Sequence, residues 1–211
     1  MAMNDDDRLP PALLEAIAVR GGRRSFAAQA ILVNEGDAAD SLYIVLSGRL
    51  KVYASSEEGR EVVLAEIGTG DCFGELALGH GTRSASVKAL EPCSCCVVPG
   101  AELRAFIAEH PAFAEHLIHK LIRMARRLTE QVKSLALQDV YGRIVRVLTE
   151  MSDTVGEERI MRHRLTQQDI ADRIGSSREM VSRVMKELTV GGYVELRDGR
   201  HVIRKKLPSA W

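Results

Sequence analysis

The stretch Arg164-Leu-Thr-Gln-Gln-Asp-Ile-Ala-Asp-Arg-Ile-Gly-Ser-Ser-Arg-Glu-Met-Val-Ser-Arg-Val-Met-Lys-Glu-Leu188 reads as two short helices joined at Gly175. Thr166 can accept from the unpaired amides of a first turn, and Asp169 can answer it, a capping box with Asp in place of the usual Glu. Gly175 marks a sharp stop, and Ser176 with Glu179 begins a second helix by the same device. In that helix Val181, Val184, Met185 and Leu188 fall at i, i+3, i+4 and i+7, so they form the buried face. Arg178, Glu179, Ser182, Arg183 and Lys186 then point outward together. Two short helices around a glycine turn are the helix-turn-helix signature, in which the second helix meets the DNA major groove. Arginine can donate in bidentate fashion to guanine, and glutamate can accept from cytosine N4. A solvated face with Glu179 paired to Arg183 is the alternative reading.

Around this unit, residues 140–151 form an amphipathic helix carrying Ile144, Val145, Val147 and Leu148, and residues 152–159 read as a polar loop. After the second helix, Gly191-Gly192 ends the helical pattern. Residues 193–196 and 200–203 then flank Asp198-Gly199, a hairpin turn dipeptide, which predicts a wing. Arg197, Arg200, Arg204, Lys205 and Lys206 can add sequence-independent phosphate contacts there.

Upstream, from about Pro111, Leu117, Leu121, Met124, Leu128, Val132 and Leu135 recur at intervals of 4, 3, 4, 4 and 3. Lys120, Arg123, Arg126, Arg127, Glu130 and Lys133 lie mostly elsewhere around the helix. A long helix between two domains can bury such a stripe on its own domains or on its twin, and coiled-coil pairing is the sharper reading. Further upstream, Gly36, Gly48, Gly59 and Gly70 recur every 11 or 12 residues with strand-like runs between them at 42–46, 50–53 and 62–64. Short strands at that spacing argue for an antiparallel sandwich or roll. The expected organisation is α+β: a β-roll over residues 1–110, a dimerisation helix over 111–138 and a winged helix-turn-helix over 139–211.

The net charge of zero hides an asymmetry. Residues 1–139 carry 15 basic and 19 acidic side chains, net −4, whereas residues 140–211 carry 14 basic and 10 acidic, net +4. A basic module beside an acidic one suits a nucleic-acid partner for the C-terminal part. No apolar run reaches the length of a membrane span and the start has no export pattern, so a cytoplasmic protein with no membrane partner is expected. Cys72, Cys93, Cys95 and Cys96 cluster in the first half, three of them in one strand-like run where alternate residues face opposite ways. They read as small apolar strand residues, and no metal is expected. No nucleophile and base stand together, so the chain is not read as an enzyme.

The remaining motif is Gly70-Asp-Cys-Phe-Gly-Glu-Leu-Ala-Leu-Gly-His-Gly-Thr-Arg-Ser-Ala-Ser-Val87. Its glycine turn exposes backbone amides, Glu75 offers a carboxylate to a sugar hydroxyl, and Arg83 with Ser84 offers donors to a phosphate. An internal Glu75 to Arg83 ion pair is the bland alternative. At this point the chain resembles the cyclic-AMP receptor and fumarate-nitrate regulator superfamily nearly end to end. The resemblance rests on residues 73–78 with 83–85 as a phosphate-binding cassette, residues 137–144 as the hinge after the dimer helix, and residues 175–183 as the recognition helix.

The resemblance implies a jelly-roll cyclic-nucleotide-binding domain and a homodimer whose binding to palindromic promoter DNA is controlled by a cyclic nucleotide, cyclic AMP above others. It implies that Gly74, Glu75 and Leu76 hold the ribose side and that Arg83 and Ser84 hold the cyclic phosphate, with Thr129 the nearest match to the family's Thr-Ser pair that clamps the purine. It implies a DNA-binding set of Thr166, Gln167, Ser177, Arg178, Glu179, Ser182, Arg183 and Lys186, a half-site like TGTGA, and RNA polymerase as a further partner. The chain departs from the pattern in a shorter Glu75 to Arg83 stretch, in a dimer helix about three residues shorter, and in Leu128 where the first purine-facing hydroxyl stands. The N-terminal cysteines of the iron–sulfur branch are missing. The alternative is the same DNA-binding regulator with a roll that senses another input, such as haem or redox through Cys72 or His80, or that serves only protein contacts.

Overall fold

The computed structural model describes residues 8–79 and 81–208, so His80 lies outside the described residues. Contacts divide the described residues into two units, one holding 8–54 with 64–79 and 81–127, the other 55–63 with 128–208.

The first unit opens with helix α1 (Pro11–Ala18) and continues through strands β1 (Gly22–Phe26), β2 (Ile31–Val33), β3 (Ser41–Ser47), β4 (Arg49–Ser55), β5 (Glu61–Gly68) and β6 (Cys72–Phe73). A 3-10 turn at Glu75–Leu78, strands β7 (Ser86–Ala89) and β8 (Cys93–Pro99), and helices α2 (Gly100–Glu109) and α3 (Pro111–Leu137) follow. The strands make two four-stranded sheets, ordered β1-β8-β3-β6 and β2-β7-β4-β5. Gly36, Gly48 and Gly70 each take a positive φ between strands, as does Gly59. At Gly48 a Cβ would come 2.6 Å from Cys93 Cβ, so the turn needs glycine for space as well as conformation.

Val45, Leu50, Val87 and Cys95 fill the space between the sheets. The outer face of the first sheet packs Leu42, Ile44, Cys96 and Val98 against Ile17, Leu103, Phe106, Phe113 and Leu117 of the helices. Strand β3 is therefore covered on both faces, which is why residues 42–46 read as a continuous apolar run instead of alternating. All four cysteines are free and buried. Burial pushes each thiol up, Cys95 to about 12, which suppresses the thiolate that binds metals and attacks. Among the described residues no group of His, Cys, Asp and Glu could hold a metal ion.

Helix α3 seats Phe113 and Leu117 on the roll. Lys120, read from the sequence as lying off the apolar stripe, is buried with them at i+7 and i+3, because this face turns inward on the protein's own sheet. Ile118, Leu121, Ile122, Leu128, Val132 and Leu135 stay exposed in the single chain.

The second unit carries α4 (Val140–Glu150), β9 (Ser152–Val155), β10 (Glu158–Met161), α5 (Gln167–Ile174), α6 (Arg178–Val190), β11 (Val194–Arg197) and β12 (Arg200–Ile203). Tyr141, Ile144, Leu148, Met161, Ile170, Ile174, Val181, Met185 and Leu188 form its core. The segment expected to be a polar loop at 152–159 is a hairpin, whose second strand extends the wing into a sheet ordered β11-β12-β10-β9. Its strands hide few side chains, Ser152 and Met161 alone being buried, so no apolar alternation marked it. The wing itself turns at Asp198-Gly199, both with positive φ, as a two-residue hairpin requires.

Candidate functional site

The cradle is built by the chain between β6 and β7. Gly74 turns with φ +88 out of the strand, and Glu75 opens the 3-10 turn. The return leg brings in Arg83, whose backbone is pinned on both sides, its amide donating to Asp37 O at 2.8 Å and its carbonyl accepting from Gly36 N at 2.9 Å. The guanidinium folds inward: Nη2 donates to Ser41 O at 2.9 Å, Nη1 reaches Gly74 O at 3.5 Å, and the group lies 5.6 Å from the centre of the Tyr43 ring. Tyr43 stacks on Phe73 with 4.8 Å between ring centres, and burial pushes its phenol pKa up. A Cβ on Gly74 would come 2.5 Å from Arg83 Nη1, so the turn and the arginine fit only with glycine.

Electrostatically this arginine is under-compensated. Its side chain is 5% exposed, while the carboxylate it meets, Asp40 at 3.5 Å, is 78% exposed. Its Nε is buried and has no hydrogen-bond partner among the described residues. The expected alternative, an ion pair with Glu75, is not what forms, because Asp40 takes that place. A buried cation whose nearest counter-charge faces water is suited to receive an anion.

Of the ligand residues read from the sequence, the fold brings Gly74, Glu75, Leu76, Arg83 and Ser84 to this one loop pair, Leu76 and Ser84 being exposed. Thr129 is exposed on α3 within the second unit. Sequence reasoning missed Asp40, Ser41 and Tyr43, which meet Arg83 from β3 and its approach, and Lys120, which bonds to Cys72 of β6 outside the cradle. A lysine at the i+3 position of an inward stripe was the available signal for the last of these.

On the second unit the Thr166 and Asp169 capping box is present, and Gly175 takes the left-handed conformation at the stop. The cap of α6 is Ser177, whose hydroxyl accepts from Met180 N, and not Ser176, because the Gly175 turn places Ser176 in the connection, its amide donating to Ala171 O. Val181, Val184, Met185 and Leu188 are buried as expected. Arg178, Glu179, Arg183 and Lys186 are exposed, Ser182 and Gln167 half-buried, and Thr166 and Ser177 exposed at the helix starts.

Neither Glu179 nor the two arginines of α6 has an ion pair among the described residues, so this surface is not the self-paired face of an ordinary helix. The wing differs. Arg197 and Arg204 are engaged by Glu158 and Glu195 at 2.5–2.9 Å. Hydrogen bonds from these arginines hold both carboxyls below their usual range. Arg200 and Lys206 remain as open charges, and Lys205 sits 4.3 Å over the Tyr193 ring.

With this geometry in hand, comparison with known proteins is informative. Residues 23–110 match the cyclic nucleotide-binding domain family, and residues 142–208 match the Crp-like helix-turn-helix domain family. A CRP-like cAMP-activated global transcriptional regulator of Mycobacterium tuberculosis is 32% identical over 174 residues, covering 80% of this chain and 77% of that protein. The cAMP-activated global transcriptional regulator Vfr of Pseudomonas aeruginosa is 28% identical over 90% of this chain and 92% of its own. The solved structure of the c-di-GMP responsive global regulator CLP of Xanthomonas campestris superposes with a TM-score of 0.84 at 25% identity, covering 93% of this chain and 100% of that one. These relatives are transcription regulators, not enzymes, and no described helix is long and apolar enough to cross a membrane. A β-roll with a phosphate-type cradle, followed by a helix-turn-helix with an open basic face, thus places this chain in the CRP/FNR family of DNA-binding transcription regulators.

Proposed function

We propose that the protein is a cytoplasmic homodimer whose affinity for palindromic promoter DNA is set by cyclic AMP in the cradle of each protomer. The observation that carries the ligand reading is Arg83, a buried guanidinium with an unpartnered Nε and only a solvent-facing carboxylate beside it. Arg83 and Ser84 would hold the cyclic phosphate, Glu75 and the Gly74 backbone the ribose hydroxyl, with Leu76 beside them and Thr129 toward the base. The positive charge of Arg83 suits the phosphate of any cyclic nucleotide. Cyclic AMP is preferred because the curated relatives above are cAMP-activated, and the c-di-GMP responsive structural relative makes that dinucleotide the competitor to test.

Residues 1–110 sense, 111–138 pair two protomers, and 139–211 read DNA. The exposed apolar residues of α3 support the pairing, since a helix buried along one side only leaves that stripe wet unless a second copy covers it. Arg178, Glu179 and Arg183 read base edges, with Ser182, Lys186, Gln167, Thr166 and Ser177 positioned around them. Arg200 and Lys206 contact phosphates, and RNA polymerase is the partner through which the bound dimer acts.

Calorimetry with cyclic AMP, cyclic GMP and c-di-GMP tests the ligand. A hydrogen bond to a charged group contributes about 1.5–3 kcal/mol, so Arg83→Ala weakens binding at least about tenfold. Unchanged affinity, or no binding of any of the three by the wild type, removes this reading. Assembly is checked by sedimentation: Leu121→Asp with Leu128→Asp yields monomers, because paired helices would bury unpartnered carboxylates, and a persisting dimer puts the seam elsewhere. Binding-site selection checks the reader. The wild type should enrich an inverted repeat with half-site centres about 10 base pairs apart. Arg183→Ala should lose about 1–3 kcal/mol on that site and relax one base pair, and a variant that selects the wild-type motif would show that α6 does not read sequence.

A further inference from the structure

Among the described residues the buried charged side chains are Asp71, Arg83 and Lys120. The three converge on one segment. Asp71 begins it, with Oδ2 accepting from Gly68 N at 2.8 Å, and Arg83 closes it, while Lys120 arrives from α3. Burying an ammonium costs several kcal/mol unless it is hydrogen-bonded and compensated, so its partners carry information.

Lys120 Nζ donates to the backbone carbonyl of Cys72 and lies 3.5 Å from Cys72 Sγ. Strand β6 is the edge of its sheet, paired with β3 through Ile44↔Cys72 and Tyr43↔Phe73 and, among the described residues, with no strand on its other side. A buried edge carbonyl needs a donor, and the helix supplies it. Burial disfavours the ammonium, but the Glu75 and Asp71 carboxylates and the hydrogen bonds to Cys72 outweigh it, so the Lys120 pKa stands above its ordinary value. Two residues beyond Cys72 is the Gly74 carbonyl that accepts from Arg83, and the next residue is Glu75. The anchor on α3 and the cradle are thus separated by one short, stiff length of strand.

We propose that Lys120 is a positioning residue that ties the cradle to helix α3, so that a ligand seated on Glu75 and Arg83 changes the helix through the Lys120–Cys72 hydrogen bond. The part concerning ligand response rests on the nucleotide reading of the cradle; the tie itself does not. A charged tether between two elements is the kind of contact whose two arrangements both sites can bias. The hydrogen bonds of Lys120 go to Cys72 and not to Gly74, Glu75, Arg83 or Ser84. Its loss should therefore uncouple the two events and leave each intact.

The test compares full-length wild type with Lys120→Met by hydrogen exchange without ligand, and by DNA affinity with and without saturating cyclic AMP. Lys120→Gln, which keeps an amide donor on a shorter arm and is read the same way, replaces the Met variant if that does not fold. The tie predicts faster exchange confined to residues 72–78 and 116–124, with the rest of the roll unchanged. It also predicts that cyclic-AMP affinity stays within about threefold while the gain in DNA affinity on adding ligand falls at least about tenfold. Faster exchange spread evenly over the roll, no change in exchange, or a full ligand-induced gain in the variant overturns the proposal. If the wild type itself does not respond to a cyclic nucleotide, the ligand reading falls, and the exchange pattern alone still decides whether Lys120 ties cradle to helix.

Discussion

The sensing proposed for this protein rests on Arg83, a buried cation folded under the Gly74 turn and held by the Gly74 and Ser41 carbonyls, with the water-facing Asp40 as its ion-pair partner among the described residues. Carbonyl dipoles hold the guanidinium in place without neutralising it. Such a site keeps its geometry before a ligand arrives, so little ordering has to be paid on binding. The turn explains why glycine stands at position 74, and the pinned backbone on either side of Arg83 explains why so short a loop can hold the side chain inside.

The DNA side is organised by the opposite principle. Arg178, Arg183 and Lys186 stand exposed, without ion pairs among the described residues, on a helix whose other face is locked into a core by Val181, Met185 and Leu188. Free cations on a rigid element are ready for bases and phosphates. The wing spends two of its arginines on Glu158 and Glu195, which stiffens the sheet built by β9 to β12 and leaves Arg200 and Lys206 as its outward charges. A solvated basic tail and a structural ion-pair cluster look alike in sequence, because only the fold brings residue 158 beside residues 197 and 204.

Features legible in the sequence were those written in local chemistry. The Thr166 box, the Gly175 stop, the Asp198-Gly199 hairpin, the glycine-punctuated strands and the buried Val181, Val184, Met185 and Leu188 face of α6 depend on residues a few positions apart, and they stand in the structure as read. Ser176 was mistaken for the cap by one residue, since both serines satisfy the pattern and only the turn geometry chooses Ser177. The hairpin at 152–161 was invisible because its side chains are mostly wet. Lys120 was misplaced for the reverse reason: a charged side chain votes for solvent in any periodicity argument, and a buried edge carbonyl 48 residues away outvoted it. Arg83 could be named from its motif, but its partners Ser41, Asp40 and Tyr43 come from a neighbouring strand and its approach, which no local pattern announces.

The central claim is that occupancy of the cradle and engagement of DNA are linked. It is tested most directly by measuring, on the wild-type protein, DNA affinity at zero and saturating cyclic nucleotide together with nucleotide affinity in the absence and presence of DNA. Linkage requires the two ratios to be equal, and a regulatory coupling of about 5–150-fold is the predicted size. Equal DNA affinity with and without every cyclic nucleotide that binds would contradict the account.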